Sequence, residues 1–230
     1  MDLKSSEVFE ILKNENIHRL YHADSVITSC SFLKKGCLLS RGELESQGLP
    51  MTDQISDDKD KKFGLWRDIF VDGIDIHDRI NKRNLYGPVL LCIDTSVLTE
   101  GGISSIRVTK SNPQNWSSNS QEEERYFQTI DEFKYGYNYG DFQKMFVIPN
   151  GNGSIKFKEY LRKIVVDYII PNGNQLWERA IEALKAAGKE SKIDHIPIEK
   201  RNCTCECNCV QKYRMMQPKT LHKFFGLSNN

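Results

Sequence analysis

Arg19-Leu20-Tyr21-His22-Ala23-Asp24, running through Ser25-Val26-Ile27 to Gly36-Cys37-Leu38-Leu39-Ser40-Arg41, is the stretch whose reading decides the fold. Residues 17–22 have the apolar and aromatic content of a strand that delivers a tyrosine and a histidine. Residues 25–35 carry Val26, Ile27, Cys30, Phe32 and Leu33 at helical spacing, and Gly36 closes that run. A strand, a helix, a glycine stop and a second polar cluster at Ser40-Arg41 follow one another with little intervening chain.

Working outward, the pattern stays mixed. Residues 5–14 read as a short helix. Residues 43–62 are polar with no steady period, and read as a surface loop. Residues 65–76 alternate apolar and polar side chains, as a strand does, with a bulge at Gly73. Residues 89–93 are nearly all aliphatic and read as a central strand, with another short strand at 103–108. Residues 122–133 read as a helix, 145–148 as a strand, 157–161 as a helical turn and 164–170 as a β-branched strand. Asn150-Gly151-Asn152-Gly153 and Pro171-Asn172-Gly173 are turns. Residues 175–187 form a helix stopped by Gly188. Short strands with few long helices and no βαβ repetition give an α+β class. Neither a phosphate loop nor a dinucleotide glycine fingerprint occurs, so a bound nucleotide would not be held by either device.

Composition narrows the function classes. The 230-residue chain has a net charge of +1, which excludes a whole-chain field aimed at nucleic acid or membrane. No run of 18 apolar residues exists, so no membrane role is expected. Residues 1–7 lack a signal-peptide core, and the expected location is intracellular, cytoplasmic or nuclear. Cys30, Cys37 and Cys92 lie in apolar surroundings and read as reduced core thiols.

The ordered elements, with the stretches LYHADSVITSCSFLKKGCLLSR, WRDIFVD, YGPVLLCIDTSVL, EERYFQTIDEF and KMFVIPNGNGSIKFKEYLRKIVV, resemble the DarT-type ADP-ribosyltransferases over residues 17–188. The resemblance implies a split β-sheet with flanking helices, NAD as substrate and a nucleic-acid acceptor such as a DNA base, with a protein side chain as the alternative acceptor. It implies that Tyr21 and His22 hold the ribose and nicotinamide, and that Ser40 and Arg41 steer the diphosphate. The family places a glutamate just before the strand matched by residues 145–148. Here the nearest acid in that segment is Asp141, separated from the strand by Gln143 and Lys144. The implied catalytic pair is therefore His22 and Asp141. A carboxylate near the ribose stabilises the positive charge left at C1 when nicotinamide departs.

Asp72, Asp75, His77, Asp78 and Arg79 crowd beside an apolar strand. If the strand continues, Asp75, His77 and Arg79 share a face. Three readings stand: a metal-dependent nuclease built on Asp72, Asp75 and His77, a solvated edge strand, or a nucleotide-cleft wall with Arg79 on phosphate. A non-catalytic binding module is a further alternative for the whole chain.

Residues 1–188 read as the transferase-like domain and 189–230 as a linker with a Cys-rich, aromatic tail. Cys203, Cys205, Cys207 and Cys209 alternate, so an extended chain puts all four on one side. Disulfides between such near neighbours are strained, and thiolates around one soft ion, zinc or Cu(I), are the better chemistry. A redox-sensitive or lipidated tail is the alternative. Leu221, Phe224 and Phe225 have the spacing of a sliding-clamp-binding peptide, although Pro218 stands where such peptides favour glutamine. A plain amphipathic terminus packed on the domain is the competing reading.

Overall fold

In the computed structural model, residues 2–80, 82–138, 140–141, 143–150, 154–168, 176–201, 203 and 207–226 are described. The 151–153 and 171–173 turns and Cys205 lie outside them. Ten strands are present among the described residues: β1 (Leu3–Lys4), β2 (Arg19–Asp24), β3 (Cys37–Leu38), β4 (Ile69–Asp72), β5 (Val89–Asp94), β6 (Ser105–Val108), β7 (Met145–Ile148), β8 (Ile155–Lys156), β9 (Leu161–Asp167) and β10 (Ile198–Arg201). Eight of them form one sheet in the order β1-β6-β7-β4-β2-β5-β9-β10, and β3 pairs with β8 in a separate ribbon.

The sheet is antiparallel except at β9/β10. Its centre follows from β5, whose residues Val89 to Ile93 are apolar on both faces. Val89, Leu91 and Ile93 point into the main core, while Leu90 and Cys92 pack on the opposite face against Ala23 and Val165. Pairing along β2 and β5 runs through six residues, and β4 and β7 pair through four. Between β2 and β4 there is one pair, Tyr21 with Asp72. The sheet therefore splits between β2 and β4, as the split-sheet expectation required.

The opening stretch folds as its sequence dictates. The Val26–Lys35 helix begins at Ser25, whose hydroxyl accepts from Thr28 N at 3.2 Å, and it ends at Gly36 with φ +68°. That left-handed conformation is one glycine adopts without steric penalty. The helix buries Val26, Phe32 and Leu33 against the Leu176–Glu190 helix and the Pro218–Phe225 helix. At some 25 cal/mol per Å² of apolar surface, each such side chain contributes about 1.5–3 kcal/mol. Burial pushes the Cys30 thiol up to about 11 and the Cys92 thiol to about 12, so both stay protonated at neutral pH.

Several segments differ from their sequence reading. Residues 65–76 are not one strand: β4 ends at Asp72, and Ile76–Ile80 is a helical turn. Residues 122–133 are not one helix. They divide into Glu122–Arg125 and Ile130–Gly136, because Tyr126 is drawn into a bridge with Thr109 and is buried beside Trp116. The loop at 43–62 carries two short helices, Arg41–Ser46 and Asp57–Lys62. Gly188 does not stop its helix, which continues to Glu190; the chain reverses at Lys192, with φ +61°.

The segment read as a linker supplies β10, which joins the sheet. Beyond it, Tyr213, Leu221 and Phe225 are buried in the main core. Leu221 and Phe225 thus face inward rather than standing ready for a clamp, while Phe224 is partly buried against the same core. No described helix is long and apolar enough to cross a membrane.

Candidate functional site

A cleft partly open to solvent lies where the sheet splits. Its walls come from β2 (His22, Asp24), from β4 (Phe70, Asp72), from the Ser40-Arg41 turn, and from Met145 at the start of β7. Gln54, Asp60, Asp68 and Tyr86 are among the other polar residues of its lining.

His22 is held across the split. Its Nδ1 lies 2.8 Å from the Phe70 carbonyl, which can only accept, so Nδ1 carries the proton and donates. Phe32 meets the ring edge-on with centroids 5.6 Å apart. Nε2 is buried and has no hydrogen-bond partner, the carboxylate of Asp24 standing 3.8 Å away. Asp24 is itself engaged, accepting from Ser25 N at 2.7 Å and from Gln54 Nε2 at 3.0 Å. Gly87 makes that arrangement possible: a Cβ there would sit 2.1 Å from the Asp24 carbonyl oxygen.

Arg41 is fixed as firmly. Its Nη2 donates to Thr52 O at 2.9 Å and to Asp57 Oδ2 at 2.8 Å. Nε lies 2.7 Å from Asp57 Oδ1, close as an ion pair though not aligned as a hydrogen bond. The guanidinium stacks over Trp66 at 5.4 Å. Nη1 is buried with no partner. Ser40 is buried at the cleft edge and spends its hydroxyl capping the Arg41–Ser46 helix, accepting from Glu43 N. The cleft thus has two pre-positioned groups, an imidazole Nε2 and a guanidinium Nη1, each lacking the hydrogen bond that buried polar atoms ordinarily have.

Asp60, Asp68 and Asp72, three acids of the cleft, are held above the ordinary carboxylate range. Burial lifts Asp72 from 3.8 to about 7; the charge of His22 opposes this and that of Asp75 reinforces it. Burial lifts Asp60 to about 6, against a hydrogen bond from Ser56. Asp68 is raised for the same reason, less the effect of its bond from Asn150 N. Acids perturbed by burial within a cleft are candidates for a functional site.

Three residues expected at the site lie elsewhere. Tyr21 projects from the other side of β2 into the small patch of Ala23, Leu90, Cys92 and Val165. Arg79 sits on the helical turn after β4 and donates to Gly140 O at 3.2 Å. Asp141 braces the segment that carries Gly140, accepting from Lys144 Nζ at 2.7 Å and from Asn138 N at 2.9 Å. Burial acts to raise Asp141, but these bonds and the nearby Lys144 and Arg79 charges outweigh it and hold the carboxyl below its usual value. None of the three lines the cleft.

Asp72, Asp75 and His77, the nuclease alternative, do not form a ligand group. Asp72 faces the cleft, Asp75 pairs with Arg201 at 2.8 Å, and His77 turns toward the C-terminal cysteines. The helical turn at Ile76–Ile80 breaks the alternation that would have aligned them. The ligand atoms of His77, Cys203, Cys207 and Cys209 lie within 4.8 Å of one another, a cluster able to hold a metal.

No family model and no curated protein sequence matches the chain. Among solved structures, it is similar to Thermus sp. 2.9 DarT in complex with ADP-ribosylated ssDNA, with a TM-score of 0.50 and 13% identity. The match covers 81% of this chain and 95% of that one. The fold is distantly DarT-like. In this DarT-like sheet, the register sets Met145 directly opposite Asp72. Thr109 fixes the start of β7 there, its hydroxyl accepting from Met145 N at 2.8 Å. Asp72, one of the acids lining the cleft, is thus on β4, one strand over from the segment in which the resemblance placed the acid. The sequence did signal Asp72, as a carboxylate sharing a strand face with Phe70 at a strand end, but an acid so placed also fits a solvated edge.

Proposed function

We propose that the chain is an NAD-dependent ADP-ribosyltransferase acting on single-stranded nucleic acid. The observation that carries the reading is the pair of buried, partnerless groups, His22 Nε2 and Arg41 Nη1, lining one cleft at the sheet's split. A neutral imidazole nitrogen accepts a ribose hydroxyl, and a guanidinium nitrogen donates to a diphosphate oxygen. The likeness to a DarT captured with ADP-ribosylated ssDNA supports the acceptor class.

Asp72 is the acid in this account. As the bond from ribose C1 to the nicotinamide nitrogen breaks, its electron pair leaves with nicotinamide and C1 becomes cationic. The Asp72 carboxylate stabilises that charge. A nucleophilic atom of the acceptor then gives its lone pair to C1, and the proton it sheds passes to Asp72. An acid at about 7 is placed for this exchange, since half of it is ionised near neutrality.

Calorimetric titration of NAD into the wild type and His22→Phe tests the reading. The ring replacement keeps the contact with Phe32 and removes the Nε2 acceptor. Loss of one such bond corresponds to about 1 kcal/mol, roughly a fivefold weakening. No NAD affinity in the wild type, or equal affinity in the two proteins, overturns it. NAD binding without nicotinamide release would instead leave a binding module.

A further inference from the structure

We propose that His77, Cys203, Cys207 and Cys209 form a structural zinc site that fastens the C-terminal segment to the sheet. His77 Nε2 lies 3.0 Å from Cys207 Sγ and 3.3 Å from Cys203 Sγ, and the Sγ atoms of Cys203 and Cys209 are 2.7 Å apart. That last distance is inside the contact distance of two sulfurs and well beyond a disulfide bond of about 2.05 Å. A zinc ion with bonds of about 2.3 Å to sulfur would open the four atoms to tetrahedral edges of about 3.8 Å. Such an opening moves the side chains by about an ångström and leaves the backbone in place.

The chemistry of the donors selects the ion. Three thiolates and an imidazole suit zinc and exclude magnesium or calcium, which take oxygen ligands. His77, Cys207 and Cys209 are all buried. Four protein ligands with no position left for water make a site that holds structure rather than one that does chemistry.

The surroundings are built to aim the imidazole. His77 N donates to Asp75 Oδ1 at 3.0 Å, and its Nδ1 stands 3.4 Å from Asp78 Oδ1, which leaves Nε2 facing the sulfurs. Carboxylates in this position orient metal-binding histidines. Arg201 then ties Asp75 to Asp167 of β9, with bonds of 2.8 and 2.7 Å, and the Tyr213 hydroxyl donates to Asp167 at 2.7 Å. Two ion pairs and the Tyr213 hydrogen bond thus join the same three parts that the ion would join: the turn after β4, the end of β10 and the Cys209–Arg214 helix.

The consequence reaches the cleft. His77 lies five residues past Asp72, and the tail beyond Cys209 packs Phe225 against the helix that follows β2. The ion would hold both edges of the split from outside.

The test uses the full chain purified under reducing conditions. Elemental analysis should find one zinc per chain. Cobalt in its place should give the visible absorption of a tetrahedral site with three thiolates. His77→Ala and Cys209→Ser should lose the metal, and Cys205→Ser should keep it. Chelation of the wild-type protein should expose the tail to limited proteolysis, a readout that survives even if the variants fail to fold. A four-thiolate cobalt spectrum, or loss of metal in Cys205→Ser with retention in His77→Ala, overturns the assignment in favour of the cysteine run alone. Absence of metal with a Cys203–Cys209 disulfide in non-reducing peptide maps overturns the site altogether.

Discussion

Asp72→Asn should make the protein more stable while stopping its chemistry. Asp72 stands at about 7 in the folded chain against 3.8 when free, because burial disfavours its charged form. A raised carboxyl means that the folded state binds the proton more tightly than the unfolded state. Asp72 therefore costs nothing below about pH 4, costs progressively more as pH rises towards 7, and costs its full amount above that. Three pK units at about 1.36 kcal/mol each set a ceiling near 4 kcal/mol. Asp72 is partly open to the cleft, and solvent screening reduces the expected penalty to about 1–3 kcal/mol at pH 8. The amide removes that penalty. Urea unfolding followed by tryptophan fluorescence at pH 5 and pH 8 measures it. The variant should gain more than twice as much at pH 8 as at pH 5. A variant less stable than wild type at pH 8, or a gain equal at both pH values, would refute the reasoning about the cleft's electrostatics.

Other substitutions separate the parts of the account. Asp141→Asn should leave NAD turnover unchanged and cost about 0–1 kcal/mol in denaturant unfolding, because it loses a partly exposed pair with Lys144. Arg201→Met should cost about 3–5 kcal/mol by the same measurement, since it strands the buried Asp75 and Asp167 carboxylates without a counter-charge. Phe225→Ala should lower stability by about 3–5 kcal/mol, the usual cost of removing a fully buried phenylalanine; a free terminal peptide would show no change.

What the sequence made legible was local. Ser25 and Gly36 bracket their helix with their own side-chain and backbone chemistry, and β5 announces itself by the five apolar residues Val89 to Ile93. What it hid was set by partners far along the chain. Tyr126 breaks an apparently continuous helix because Thr109 and Trp116 claim it. His77 was read with its neighbours Asp72 and Asp75, yet its sulfur partners lie 126 and 130 residues away. The same limit applies to the proposed acid. Asp141 is the acid closest in sequence to the matched strand, whereas antiparallel pairing sets Asp72 opposite Met145 and in the cleft. His22 and Arg41 were legible because one short strand, helix and turn carry both to the cleft.

The central claim is that this cleft cleaves NAD and passes ADP-ribose to nucleic acid. The most direct measurement follows NAD labelled separately in its nicotinamide and adenylate parts, incubated with single-stranded DNA and RNA. The account predicts nicotinamide release, with adenylate label on the nucleic acid, by the wild type and loss of both in Asp72→Asn. Undiminished transfer by Asp72→Asn, or no release by a wild-type protein that is folded and saturated with NAD, would contradict it.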